Sequence, residues 1–306
     1  MAADSATHPW LRRAPWVLGT LIVTALLAAP VVTGRALEPL GLLEAAAGAA
    51  LATTFSGLAL VASRRPGLPL RLATPAVMAV SACNAITPAG VGGTVLTHRF
   101  HRRTGLSVPD ANAALAVRTV AGSVAAFSGG LFAARYAGVV TKHTPLPSAR
   151  TVLLVGAVVL AGLTVGAVMQ RRRVRALLGQ ARETLLSAAG HLRSPGRTAL
   201  LLLATHGLLV SQIICLHGAL SAVGLAPSLA VLLVAQVGAN TVKSASPWAP
   251  GGLGAMEGAL VAALHGGGLP AATAAMGVLV YRALGWWLPV LGGVVALSTF
   301  RRRGLV

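Results

Sequence analysis

Six apolar stretches, at about 16–34, 42–62, 110–133, 151–169, 198–221 and 270–299, divide the sequence. Each fits the ~20 residues that a helix rising ~1.5 Å per residue needs to cross ~30 Å of hydrocarbon. Lipid offers no partner to a free backbone N–H or C=O, so a chain punctuated in this way folds as an all-α polytopic membrane protein, a single transmembrane domain over 1–306. With 55% apolar residues, 10% charged residues and a mean hydropathy of +0.77, a soluble enzyme and a nucleic-acid binder are both excluded. The net charge of +19 is read as topology and lipid contact, not as a polyanion partner.

Two more apolar stretches, 72–87 and 227–245, run into Pro/Gly-rich sequence instead of a charged loop. The first leads to NAITPAGVGG at 84–93, the second to PWAPGGLG at 247–254, and a short helical piece follows each. Superposing Pro88 on Pro250 aligns PAGVG with PGGLG, and brings Gly105 close to Gly268 and Arg118 close to Arg282. The sequence therefore contains a repeat, with halves at 72–133 and 227–299. Proline removes a backbone donor and glycine flexes freely, so each break must line a protein-walled cavity, most simply as a re-entrant hairpin.

The charges test that topology. With the N-terminus inside, six full spans and two hairpins opening to opposite leaflets, 18 Lys and Arg residues fall in inner segments and 4 in outer ones. Both termini are then cytoplasmic, and the repeats are inverted, as in carriers that expose one central site to either side. If both broken stretches cross completely, the count becomes eight spans. Arg12 and Arg13 precede 16–34, which reads as an uncleaved first span. Residues 171–190 place apolar residues along one stripe opposite arginines, which suits a basic interfacial helix or a solvated connector.

Three basic residues, Arg118, Lys243 and Arg282, remain inside the membrane. A charge at the bilayer centre costs ~2.5–3.5 kcal/mol on insertion scales, so each requires a partner or a function. Guanidinium forks at matching repeat positions suit the phosphate of an anionic headgroup, or else pair with a carboxylate or cap hairpin carbonyls. Glu257 is the one acid of its half of the membrane region and is expected to pair with an arginine, or to carry a proton. Asn84, Pro88, Gly90 and Gly92 in the first break, and Pro250, Gly251, Gly252 and Gly254 in the second, add backbone amides at helix starts as a weak anion site.

Elsewhere the expectations are structural. Asp110, after Pro109, begins a span as an N-terminal acid, Glu44 lies near a span end, and His206 and His217 are packed or bonded to backbone. His98 and His101, beside Arg99, Arg102 and Arg103, read as a wet patch facing headgroups, since so many basic groups repel a metal ion. Cys83 and Cys215 form no metal-ligand pattern. No nucleophile–base set, paired carboxylates or phosphate loop appears, so neither catalysis nor a metal or other cofactor is expected.

The broken motifs, NAITPAGVGG with Arg118 and SPWAPGGLGAMEGAL at 246–260 with GVLVYRALGWWLPVLGG at 277–293, resemble the lysylphosphatidylglycerol synthase transmembrane-region family. The resemblance covers nearly the whole chain and adds Tyr281 to the candidate binding residues. Two acids of the family pattern are replaced here by Gly93 and Val117. The family's flippase-like region implies a transporter of an anionic phospholipid or polyprenyl-linked intermediate, with membrane lipids as partners, in the cell membrane and without the soluble aminoacyltransferase domain. The alternative expectation is a non-transporting scaffold for a lipid- or envelope-modifying enzyme partner.

Overall fold

The computed structural model describes residue 24 and residues 36–64, 67–87, 90–140, 182–183, 186–190, 193–244, 246 and 252–306. Among them every long element is helical: α1 Pro39–Ala62, α2 Leu70–Ile86, α3 Val91–Arg103, α4 Val108–Val140, α5 Pro195–Ala222, α6 Leu229–Ser244, α7 Ala255–Gly266 and α8 Ala271–Arg282. A π-helical turn, Ala283–Trp287, then joins α8 to α9, Leu288–Arg302. Four of the described helices are long and apolar enough to cross a membrane: α1, the Val108–Ala133 part of α4, α5, and the continuous run Ala271–Arg302. They coincide with the spans expected at 42–62, 110–133, 198–221 and 270–299. The spans expected at 16–34 and 151–169 lie outside the described residues, apart from Thr24, which is helical. Of the basic helix expected at 171–190, residues 182–183 and 186–190 are described, and they are helical.

The helices begin and end for local reasons. Proline occupies the first turn of α1 and α5, where its missing N–H removes nothing. At the start of α4, Ser107 Oγ donates to Asp110 Oδ2 at 2.6 Å and accepts from the Asp110 N–H at 3.2 Å, a reciprocal cap that the serine–acid spacing encodes. Helices α3 and α7 close alike. Gly105 and Gly268 take φ of +95° and +92°, and the following leucines donate to carbonyls five residues back, Leu106 to His101 at 3.0 Å and Leu269 to Leu264 at 3.2 Å.

Small residues set the packing. Helices α1 and α5 run antiparallel in the most extensive contact of the fold, Gly41 meeting Ala222, Gly48 meeting Cys215 and Gly207 meeting Phe55. A Cβ on Gly41 or Gly48 would overlap the α5 backbone, so these glycines permit the approach that dispersion between helices requires. Gly292 and Gly293 do the same for α9 against Met78 of α2. Around this pair, α2 packs on α9 while α6 packs on α4, and α3 lies on α2 while α7 lies on α6.

One end of the molecule is basic. The buried Arg64, just after α1, donates to Thr104 Oγ1 at 2.6 Å and Thr104 O at 3.0 Å, while Arg197 at the start of α5 donates to Arg64 O at 3.0 Å. Phe100 of α3 stacks on Phe300 of α9 with centroids 5.6 Å apart. The end of α1, the ends of α3 and α9 and the start of α5 therefore gather together, with Arg71, Arg99, Arg102, Arg103, Arg193 and Arg301 to Arg303 exposed around them. Here one expectation is corrected: His101 does not face headgroups but is buried, its ring tilted against Phe100. At the turn spacing of α3 it falls on the inner side while Arg102 and Arg103 fall outside.

Candidate functional site

Where the six helices α1, α2, α5, α6, α7 and α8 converge, they enclose a cavity of about 170 Å³, room for several waters at ~30 Å³ each. The far wall is the π-helical turn. Pro289 brings no N–H and its ring crowds the carbonyl four residues back, and the wide turn relieves that crowding. It also directs Trp286 into the cavity wall, beside Gly285 and Arg282.

Arg282, at the end of α8, is buried to 3% exposure. Its Nε lies 2.5 Å from Glu257 Oε1 and its Nη1 donates to Met256 Sδ at 3.6 Å, both partners being in the first turn of α7. The carboxylate therefore sits at the positive end of α7 as well as against the guanidinium. Arg282 Cζ stands 5.0 Å from the Trp286 ring centroid, and Lys243 Nζ stands 4.8 Å from the same centroid. The Lys243 stem crosses Gly252, whose φ is +74° and where a Cβ would come within 2.6 Å of Lys243 Cγ. The second break thus shapes the bed of a cavity lysine.

Arg118 takes another position. It is half-buried on α4 and is not part of the cavity wall, but its Nη2 donates at 3.1 Å to Ser56 Oγ, which is. The two arginines approach the cavity from α8 and α4, Arg282 directly and Arg118 through a hydroxyl.

A carboxamide cluster completes the interior. Gln212 Oε1 accepts from Gln236 Nε2 at 3.1 Å and from Asn240 Nδ2 at 3.2 Å, and Gln236 Nε2 also donates to Tyr281 OH at 3.2 Å. Gln212, Asn240 and Tyr281 line the cavity together with Thr53, Ser56 and Ser81. Sequence reasoning found Tyr281 but missed Gln212, Gln236, Asn240 and Trp286. The legible signal was the spacing of Gln236 and Asn240, which puts two amides on one face of an otherwise apolar helix.

The first break is arranged differently. Gly90 begins α3 at φ +66°, the Gly92 N–H donates to Thr87 Oγ1 at 3.1 Å, and the Gly93 N–H donates to Asn84 Oδ1 at 2.9 Å. Its leading amides are thus engaged by Asn84 of α2 and by Thr87 just after it, and Asn84, Gly90 and Gly92 stand apart from the cavity wall. Gly254 begins α7 at φ +81° without a side chain to cap it. Pro88, Pro250 and Gly251 lie outside the described residues.

A second, more apolar groove of about 720 Å³ runs between α4, α5 and α6. Phe127, Leu131, Leu209 and Val237 line it, and it shares Gln212, Asn240 and Lys243 with the central cavity. Outside the site, His217 Nδ1 contacts Glu44 Oε1 at 2.8 Å, and His206 contacts Leu202 O at 2.8 Å and Ser128 Oγ at 3.0 Å. Glu44 is thus an interhelical partner. Among the described residues no group of three His, Cys, Asp or Glu side chains is placed to hold a metal ion, and Cys83 and Cys215 are free.

The sequence model for the lysylphosphatidylglycerol synthase TM region matches residues 16–293. No curated protein matches the chain.

Proposed function

The chain belongs to the lysylphosphatidylglycerol synthase TM region family, and from that premise we propose that it is a flippase-like transporter carrying an anionic phospholipid or polyprenyl-linked phosphate between leaflets. One observation carries the reading: a buried arginine and a lysine share the wall of a polar cavity that adjoins an apolar groove across Gln212, Asn240 and Lys243. The cations suit a phosphate in a low-dielectric interior, and the groove suits its tail.

The proposed carrier works by alternating access between inverted repeats. The antiparallel contact of α1 with α5 supports that symmetry, as do the exchanged pairs α2 with α9 and α6 with α4, and the matching Gly105 and Gly268 closures. Helices α2 and α6 have 17 and 16 residues, so each reaches only ~25 Å at ~1.5 Å per residue, which favours re-entrant hairpins over full crossings. With the spans at 16–34 and 151–169 this gives six spans and two hairpins. The arginines at the ends of α3 and α9 and the start of α5 favour a plasma-membrane orientation with both termini cytoplasmic.

In this mechanism a lipid slides its phosphate past Gln212 and Asn240 to Arg282 and Lys243 while its tail remains in the groove. The Pro/Gly breaks act as joints that open the cavity to one leaflet and then to the other, and no nucleotide hydrolysis is involved. The test is exchange of acyl-labelled phosphatidylglycerol between leaflets of proteoliposomes. The folded Arg282→Ala variant is expected to fall toward the protein-free rate; exchange at the wild-type rate contradicts the assignment.

A further inference from the structure

We infer that the cavity selects an anionic phosphate ester whose remaining polar part is uncharged and hydroxyl-rich, and that it discriminates against amine-bearing headgroups. This rests on reading the cavity as the headgroup site of a lipid carrier, and three observations support it.

The first is charge. Among the described wall residues there is no carboxylate. Glu257 stands behind Arg282 and is committed to it, so the pair is neutral and Lys243 contributes an uncompensated positive charge. A phosphodiester neutralises that charge. A headgroup that adds an ammonium meets no carboxylate on the described wall and adds its charge to that of Lys243, with Arg118 behind Ser56.

The second is the pattern of unused hydrogen-bonding groups. Among the residues that line the cavity, Arg282 Nη2 and Trp286 Nε1 are buried and have no acceptor among the described residues, whereas the buried acceptor oxygens without a donor, Glu257 Oε2 and Gln236 Oε1, belong to residues outside the wall. Both wall atoms are donors. Buried donors without partners are costly and favour a ligand rich in acceptor oxygens, as a phosphate is and an amine is not.

The third is the aromatic surface. Quaternary and primary ammonium groups are held by open aromatic faces. Trp286 has Lys243 and Arg282 within 5.0 Å of its centroid, so its ring already serves resident cations. What remains around the cations is neutral: Gln212, Asn240, Thr53 and Ser81, groups that pair with hydroxyls in either direction. The lipid named in the family's description carries a lysyl group; this cavity suits the unmodified phosphoglycerol or a phosphoryl sugar instead.

The experiment incubates the purified full chain with equimolar phosphatidylglycerol, a polyprenyl phosphoryl hexose, lysyl-phosphatidylglycerol and phosphatidylcholine, and weighs the retained lipids by native mass spectrometry. At least about tenfold preference for one of the first two over both amine-bearing lipids is expected, and the mass identifies whether the source is a phospholipid or a polyprenyl carrier. Lys243→Gln and Trp286→Phe, two independent and mild changes, should each reduce that preference. Equal or preferential retention of lysyl-phosphatidylglycerol overturns the inference. Leaflet exchange of the same lipids in phosphatidylcholine vesicles separates the two claims. Selective retention without exchange sinks the transport reading and leaves the selection standing, whereas faster exchange of the lysyl lipid does the reverse.

Discussion

Arg282 and Glu257 meet across the junction of α8 and α7, Nε to Oε1 at 2.5 Å, so that the end of one helix and the first turn of the other are joined by one largely buried ion pair at the cavity wall. Breaking one partner of such a pair strands the other. Glu257→Gln alone is expected to destabilise the protein by ~3–5 kcal/mol, while a double variant, Glu257→Leu with Arg282→Met, should recover most of that loss and still bind no anionic lipid. Thermal unfolding in detergent, read for both singles and the double, checks this; a double variant as unstable as the sum of the singles contradicts it.

The glycines of the α1–α5 contact make a second prediction. Gly48→Leu would drive its side chain into the Cys215 backbone, and a loss of more than ~1–3 kcal/mol is expected from overpacking. Gly122→Ala on α4 meets nothing within 4 Å and should be neutral or stabilising by up to ~1 kcal/mol. Matched unfolding midpoints for the two variants decide it.

Asn84 separates structure from binding. Its Oδ1 holds the Gly93 N–H at 2.9 Å and it lies outside the cavity wall. Asn84→Ala should therefore cost ~1 kcal/mol, as removal of a helix cap does, with headgroup retention per folded molecule unchanged. A specific loss of lipid binding, with stability intact, would instead return the first break to the site.

Local patterns were legible and distant partners were not. Apolar runs near 20 residues located the four described spans, and a lone acid in the second half pointed to an arginine partner or a proton without choosing the arginine, which the structure gives as Arg282. Asp110, after Pro109, announced the start of α4 as an N-terminal acid, while its bond with Ser107 emerges only in the structure. By contrast, Ser56 is 62 residues from Arg118, and Gln212 is 24 residues from Gln236, separations that no hydropathy period encodes. The π-helical turn was hidden for another reason: 270–299 reads as one apolar span, and only the packing of Gly285 against Cys215 and of Trp286 near Lys243 turns it into a wall. Gly92 offered free amides by sequence, and Thr87 took one of them.

The central claim, that one cavity serves both leaflets, is tested most directly at Ser81, which lines the cavity from α2. In a chain with Cys83→Ala and Cys215→Ala, Ser81→Cys is challenged in sealed proteoliposomes with a membrane-impermeant thiol reagent added to the outside or trapped inside. Modification from either side, slowed from both by phosphatidylglycerol, is the predicted result. Modification from one side alone, with the lipid present or absent, would contradict the account.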